Sequence, residues 1–282
     1  MKNKLIFSNS FKLLKISVVF VFLGRAWQFI FWDAPFRTFF WNESLLKPFV
    51  ENIIGIDWQT YANSPKLDVF IDSSVLAFGI LYLLSAIAVI FYSKFERIAK
   101  YIIIAGGLGL LLLAFLLMSD RFYQLSQFFE YSIQFSIPFI FVFFHKNSIQ
   151  KHLILILILK LLIAAVFIAH GLYAVGYYPV PGHFLGMVID ILGFTEQGAR
   201  NFLLAAGILD FVGAILIFVP KLARYSLIYL AIWGFLTSFA RLIAGFSFDF
   251  FWELLHLNLY QTIYRLPHGI LPIIVLLKMK NK

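Results

Sequence analysis

The chain of 282 residues contains no cysteine. This excludes disulfides, thiol redox chemistry, covalently attached haem and cysteine-ligated iron–sulfur clusters, and leaves the compartment open. Charge is scarce too. Asp, Glu, Lys and Arg make up 13% of the residues, against roughly 25% in a soluble domain. A Gly-rich phosphate loop, a Ser-His-Asp arrangement and a zinc-type ligand spacing are all missing. The Gly106-Gly107 pair lies inside an apolar run, where it cannot cradle a soluble nucleotide. The sequence therefore nominates no catalytic residue and no metal ligand.

What is present is apolar. Hydrophobic residues make up 62% of the chain, with 35 Phe, and several runs of membrane-spanning length follow one another. The reading is all-α: a polytopic membrane helical bundle of about eight transmembrane helices. Spans are predicted near 14–32, 73–93, 99–118, 127–145, 153–176, 201–220, 225–245 and 261–278. The first run lacks a small-residue cleavage site and reads as a retained helix. Residues 33–72 are too polar to span. Within them Phe36, Phe39, Phe40, Leu46, Phe49, Val50, Ile53 and Ile54 recur at near-helical spacing, which predicts a helix lying in the interface.

The basic excess of +9 is distributed by topology. The N-terminus, the C-terminus and the links near 94–100, 146–151 and 221–224 hold 14 Lys or Arg and one acid, Glu96. The opposite loops and helix ends hold five Lys or Arg and 12 acids. By the positive-inside rule both termini are cytoplasmic. The charge therefore needs no nucleic acid to explain it. The partners expected are membrane lipids, together with a membrane-protein partner or a second copy of the chain.

The chain also repeats itself. Placing Leu14-Lys15 over Leu159-Lys160 puts Phe22 on Phe167 and Arg25 on His170. GILYLLSAIAVIF from Gly79 lies over GILDFVGAILIFV from Gly207, with Tyr82 on Asp210. Pro138 lies over Pro272. The predicted organisation is two parallel four-helix repeats, 1–147 (carrying the external segment 33–72) and 148–282, related by an axis along the membrane normal.

Several residues of the second unit carry a family resemblance. They are His170-Gly171 after an apolar run, PGHF at 181–184, AGILDFVGAILIFVPKLAR at 206–224, and a third helix ending in Arg241. Over about 155–245 the chain resembles the DoxX-like family of small four-helix membrane proteins, whose second helix often carries an acid where this chain has Asp210. The resemblance implies a compact bundle, a bacterial inner-membrane location and association with quinone-linked redox enzymes.

Six ionisable residues within the spans are the candidate binding residues: His170, Asp210, Arg241, Arg265, His268 and Arg25. Such groups are expensive in a bilayer, and when retained they face the bundle interior or a cavity. On the predicted topology they gather toward the outer half of the membrane, while the inner half is almost wholly Leu, Ile and Phe. Asp210 and Arg241, on adjacent helices, form the natural candidate for an ion pair. His170 and His268 fit hydrogen bonding to a quinone carbonyl better than ligation of haem b, because no second histidine pair accompanies them. The leading expectation is an outward-facing pocket for a quinone, lipid or similar amphiphile. A structural subunit of a membrane complex is the alternative. A transporter is third, because no span shows an interruption that would open a path across.

Overall fold

The computed structural model describes residues 2–144 and 149–279, and among them it contains helices and turns but no strand. Of the basic stretches used for orientation, residues 146–148 and 280–282 lie outside the described residues. The long helices are α1 (Lys2–Phe31), α5 (Pro65–Ile90), α6 (Glu96–Asp120), α9 (Ile149–Ala174), α11 (Glu196–Leu216) and α12 (Ala223–Ile243). A helix satisfies all its own backbone hydrogen bonds, which is why such apolar runs adopt it. Shorter pieces complete the chain: α2 (Phe36–Phe40), α3 (Glu43–Phe49), α4 (Trp58–Ala62), α7 (Leu125–Glu130), α8 (Ser132–Phe143), α10 (Gly182–Leu192), α13 (Phe251–Arg265) and α14 (Pro267–Met279).

Among the described residues, seven helices are long and apolar enough to cross a membrane, counting Phe251–Met279 as one. The chain is thus a multi-pass helical membrane protein. The remaining predicted span, 127–145, is divided between α7 and α8 at Tyr131, and α8 alone is short for a span. The last span is divided as well, between α13 and α14. Both spans are thus interrupted near their predicted starts, at Tyr131 and at Leu266. At the second the reason is local: Pro267 opens α14, where a missing N–H is harmless, but it cannot continue α13. At the first the break comes at Tyr131, well before Pro138, which α8 absorbs.

The external segment also departs from a single interfacial helix. It forms α2, α3, a π-turn at Val50–Ile54 and α4. Asn42 and Asp57 restart the chain by accepting the Leu45 and Thr60 amides, and Gly55 ends the π-turn at φ 76°. Arg37 ties this segment to α5, donating to Asp33 at 3.0 Å and to Asp72 at 2.5 Å with Asp68 at 3.8 Å. The hydrogen bond to Asp72 chiefly holds the guanidinium above its ordinary pKa.

Helix packing follows small residues. α1 lies along α5, where Gly79 brings the backbone against Ile30, and α9 lies along α11, where Gly207 meets the Gly171 carbonyl and Val175. Lys15 Nζ donates to the Ile90 carbonyl and Lys160 Nζ to that of Ile217, each at 2.7 Å, so both hairpins are antiparallel and closed at one end of the bundle. α6 packs on α5 and α8, and α12 packs on α11 and α14. The broken helices then cross over: α13 and α14 lie on α1, while α7 and α8 lie on α9. The larger of two apolar clusters among the described residues runs through the assembly, with Val18, Phe22, Ile103, Ile163, Ile217 and Leu271 all buried in it.

Candidate functional site

A cavity of about 350 Å³ opens between α9, α10, α11, α12 and the break between α13 and α14. Its roof is α10, an amphipathic helix turned inward with Phe184, Met187, Val188, Ile191 and Leu192. Two features set this helix. Pro181 precedes it in extended conformation, and Gly193 ends it at φ 66°, a left-handed value that glycine adopts without strain. The walls are Phe167, Phe202, Leu203, Ala206, Leu236 and Ile243. Toward the end of the bundle that carries the lysine caps, buried Leu159, Ile163, Ile217 and Leu230 close the core.

Five of the six candidate residues line this cavity: His170, Asp210, Arg241, Arg265 and His268. They do not combine as the sequence alone proposes. Asp210 and Arg241 form no ion pair among the described residues. Asp210, 3% exposed, lies close to the Trp233 side chain, and its Oδ1 has no partner among the described residues. Arg241 turns back along α12 and donates from Nη1 to the Thr237 carbonyl at 2.8 Å. The physical reason is axial offset. Trp233 and Arg241 are eight residues apart on α12, about 12 Å along the helix at its usual rise.

The ion pair that does form was not foreseen. Arg265 Nη2 donates to Glu130 Oε1 at 2.6 Å, with both side chains almost fully buried. Each partner sits at the end of a broken helix, α13 and α7, so the pair joins the two interruptions. Glu130 is the one acid within the predicted fourth span, a signal that was legible. His268 follows in the first turn of α14, where its Nδ1 lies 2.7 Å from the Arg265 carbonyl and its ring centroid lies 6.0 Å from that of His170. This turn can reach α12 only because position 234 is glycine: a Cβ there would stand 2.7 Å from the His268 carbonyl carbon. Thr262 fastens the approach by donating to the Ser238 carbonyl at 3.0 Å.

Arg25 is the correction. It is buried, 1% exposed, but lies outside the cavity. Its Nε and Nη2 donate to Gln134 Oε1 at 2.9 and 2.7 Å and its Nη1 to Gln28 Oε1 at 2.5 Å, while Cζ stacks 3.8 Å from the Tyr264 ring. Two glutamine carbonyls and an aromatic face already occupy this guanidinium, so it joins helices instead of facing a ligand.

At the position in the N-terminal part that the sequence aligns with Asp210, the described residues are close-packed. Tyr82, which the sequence aligns with Asp210, is fully buried, and its ring meets those of Phe22, Phe29 and Phe78 at 6.3, 5.1 and 6.2 Å. An aromatic cluster fills that region. In the second half the shorter Asp210 side chain faces the cavity. Sequence reasoning missed the roof altogether, although GHFLGMVIDIL between proline and glycine carries an amphipathic signal. It also missed Trp233, Thr237 and Ser238.

Comparisons with protein-family models, with curated proteins and with solved structures returned no match.

Proposed function

We propose that this membrane protein binds an amphiphile, a quinone, lipid or similar molecule, in the cavity beneath α10. The observation that carries the proposal is Arg241. A buried guanidinium that lines an apolar cavity and forms no ion pair among the described residues is matched to an anionic or carbonyl-bearing head group. The volume falls within the usual range for small-molecule pockets, which are mostly apolar with a few placed polar groups. The resemblance of residues 155–245 to the DoxX-like family supports a redox accessory role in a bacterial inner membrane. The charge asymmetry of the loops supports a cavity opening away from the cytoplasm.

The test is extraction and native mass spectrometry of the purified protein. A co-purifying amphiphile at one per chain, lost in Arg241→Gln while the variant still elutes as a folded particle, supports the reading. Wild-type protein that carries no amphiphile, and shows no thermal shift with decylubiquinone or with long-chain fatty acids, overturns it.

A further inference from the structure

The unpaired atoms of the cavity narrow the ligand class. We infer that the ligand is an anionic amphiphile carrying a hydroxyl beside its anionic group, as in a β-hydroxy fatty acid or a lysophospholipid with a glycerol head. This rests on the amphiphile-binding reading above and adds the chemistry of the head.

The first observation is charge. Around the α13–α14 break stand three guanidiniums, Arg241, Arg265 and, over the Tyr264 ring, Arg25, and one carboxylate, Glu130, which is engaged by Arg265. Arg25 is held by glutamine carbonyls outside the cavity, so Arg241 is the cavity-lining guanidinium that forms no ion pair among the described residues. Asp210 does not supply a counter-charge, because it lies beside Trp233, two turns from Arg241 on α12, and forms no ion pair with Arg241 among the described residues. Arg241 uses one nitrogen on the Thr237 carbonyl, and Arg265 Nε has no partner among the described residues. Free donors on two neighbouring guanidiniums are what a carboxylate or phosphodiester oxygen pair requires.

The second observation is the tautomer of His268. A backbone carbonyl can only accept, so the proton of the neutral ring lies on Nδ1 and is donated to the Arg265 carbonyl. Nε2 is then an acceptor, and it is buried without a partner. A ligand made only of acceptor oxygens would satisfy the arginines and leave this nitrogen bare. A hydroxyl adjacent to the anionic group donates to it. Arg265 and His268 are three residues apart across the helix break, so both recognition atoms belong to one short segment held against α12 by Gly234. The acyl chain has the apolar lining of α10 and α11 to lie against.

The experiment compares probes on wild-type protein in nanodiscs, with empty nanodiscs as the blank. Titration calorimetry is run with β-hydroxymyristate, myristate, methyl β-hydroxymyristate and lysophosphatidylglycerol. The hydroxy acid is expected to bind about tenfold more tightly than myristate, the worth of one neutral hydrogen bond. Its methyl ester is expected to lose about a hundredfold with the charge. His268→Leu brings the two acids to equal affinity, whereas Arg241→Gln weakens both. Tighter binding of lysophosphatidylglycerol assigns the head to a phospholipid, and tighter binding of the hydroxy acid assigns it to a free acid. Equal wild-type affinity for myristate and its hydroxylated form overturns the hydroxyl assignment, and an ester as tight as the acid overturns the anionic one. In both cases the amphiphile site itself stands. If none of the four binds and no amphiphile is extracted, the underlying reading falls with it.

Discussion

Removing the Glu130 carboxylate, as Glu130→Gln, tests how the two broken helices are held together. The Arg265–Glu130 contact is 2.6 Å long, and its side chains are 8% and 7% exposed. With charge centres about 4 Å apart, the attraction is roughly 4 kcal/mol at the effective dielectric that suits protein interiors. That is not the net worth of the pair, since both groups were desolvated to make it. The single substitution nevertheless leaves a buried guanidinium uncompensated, for which losses of about 3–5 kcal/mol are typical. The double variant Glu130→Leu with Arg265→Met removes both charges and is expected to recover most of that loss. Reversible unfolding in mixed micelles, titrated with SDS and followed by tryptophan fluorescence, gives the free energies for a double-mutant cycle. The exposed Arg37 is the internal control. It faces three carboxylates within 3.8 Å, yet Arg37→Ala is expected to change stability by only about 0–1 kcal/mol, because water and salt screen such pairs. A loss below about 1 kcal/mol for Glu130→Gln, or a double variant that simply adds the two single losses, would refute the reasoning.

Asp210→Leu replaces a buried carboxyl that has one unpartnered oxygen with an apolar side chain beside an apolar cavity. It should leave stability unchanged or raise it by about 1 kcal/mol, and the same SDS titration reads this. A loss of several kcal/mol would make Asp210 a structural residue. Gly234→Ala sets two effects against each other. Alanine improves helix propensity by about 1 kcal/mol, but its Cβ would meet the His268 backbone, and overpacking of this kind costs about 1–3 kcal/mol or more. Net destabilisation is expected, with lowered retention of any bound amphiphile. A stabilised variant would show that α12 and α14 are not in the close contact described.

Arg25 and Glu130 show where sequence reading ends. Both are single ionisable residues in apolar runs, so both could be recognised as buried and partnered. Depth along a helix is also legible, because 1.5 Å per residue fixes it. The choice of partner is not. Arg25 was grouped with the binding residues and proved to be saturated by Gln28, Gln134 and the Tyr264 ring. Glu130 stands outside the six candidates, yet it neutralises Arg265 from 135 positions away in the chain. The pairing of Asp210 with Arg241 looked natural on adjacent helices and failed on axial offset.

The sequence by itself determined that the chain is a helical membrane bundle, since long apolar runs in a bilayer have only helices and closed barrels open to them. It also determined which few costly side chains must turn inward. The tertiary structure decided which of these share a space: the crossing of α13 and α14 over α1, the close approach at Gly234 and the placement of α10 as a roof. Those arise from side-chain packing between segments distant in sequence, and a one-dimensional pattern carries no record of which helix faces which.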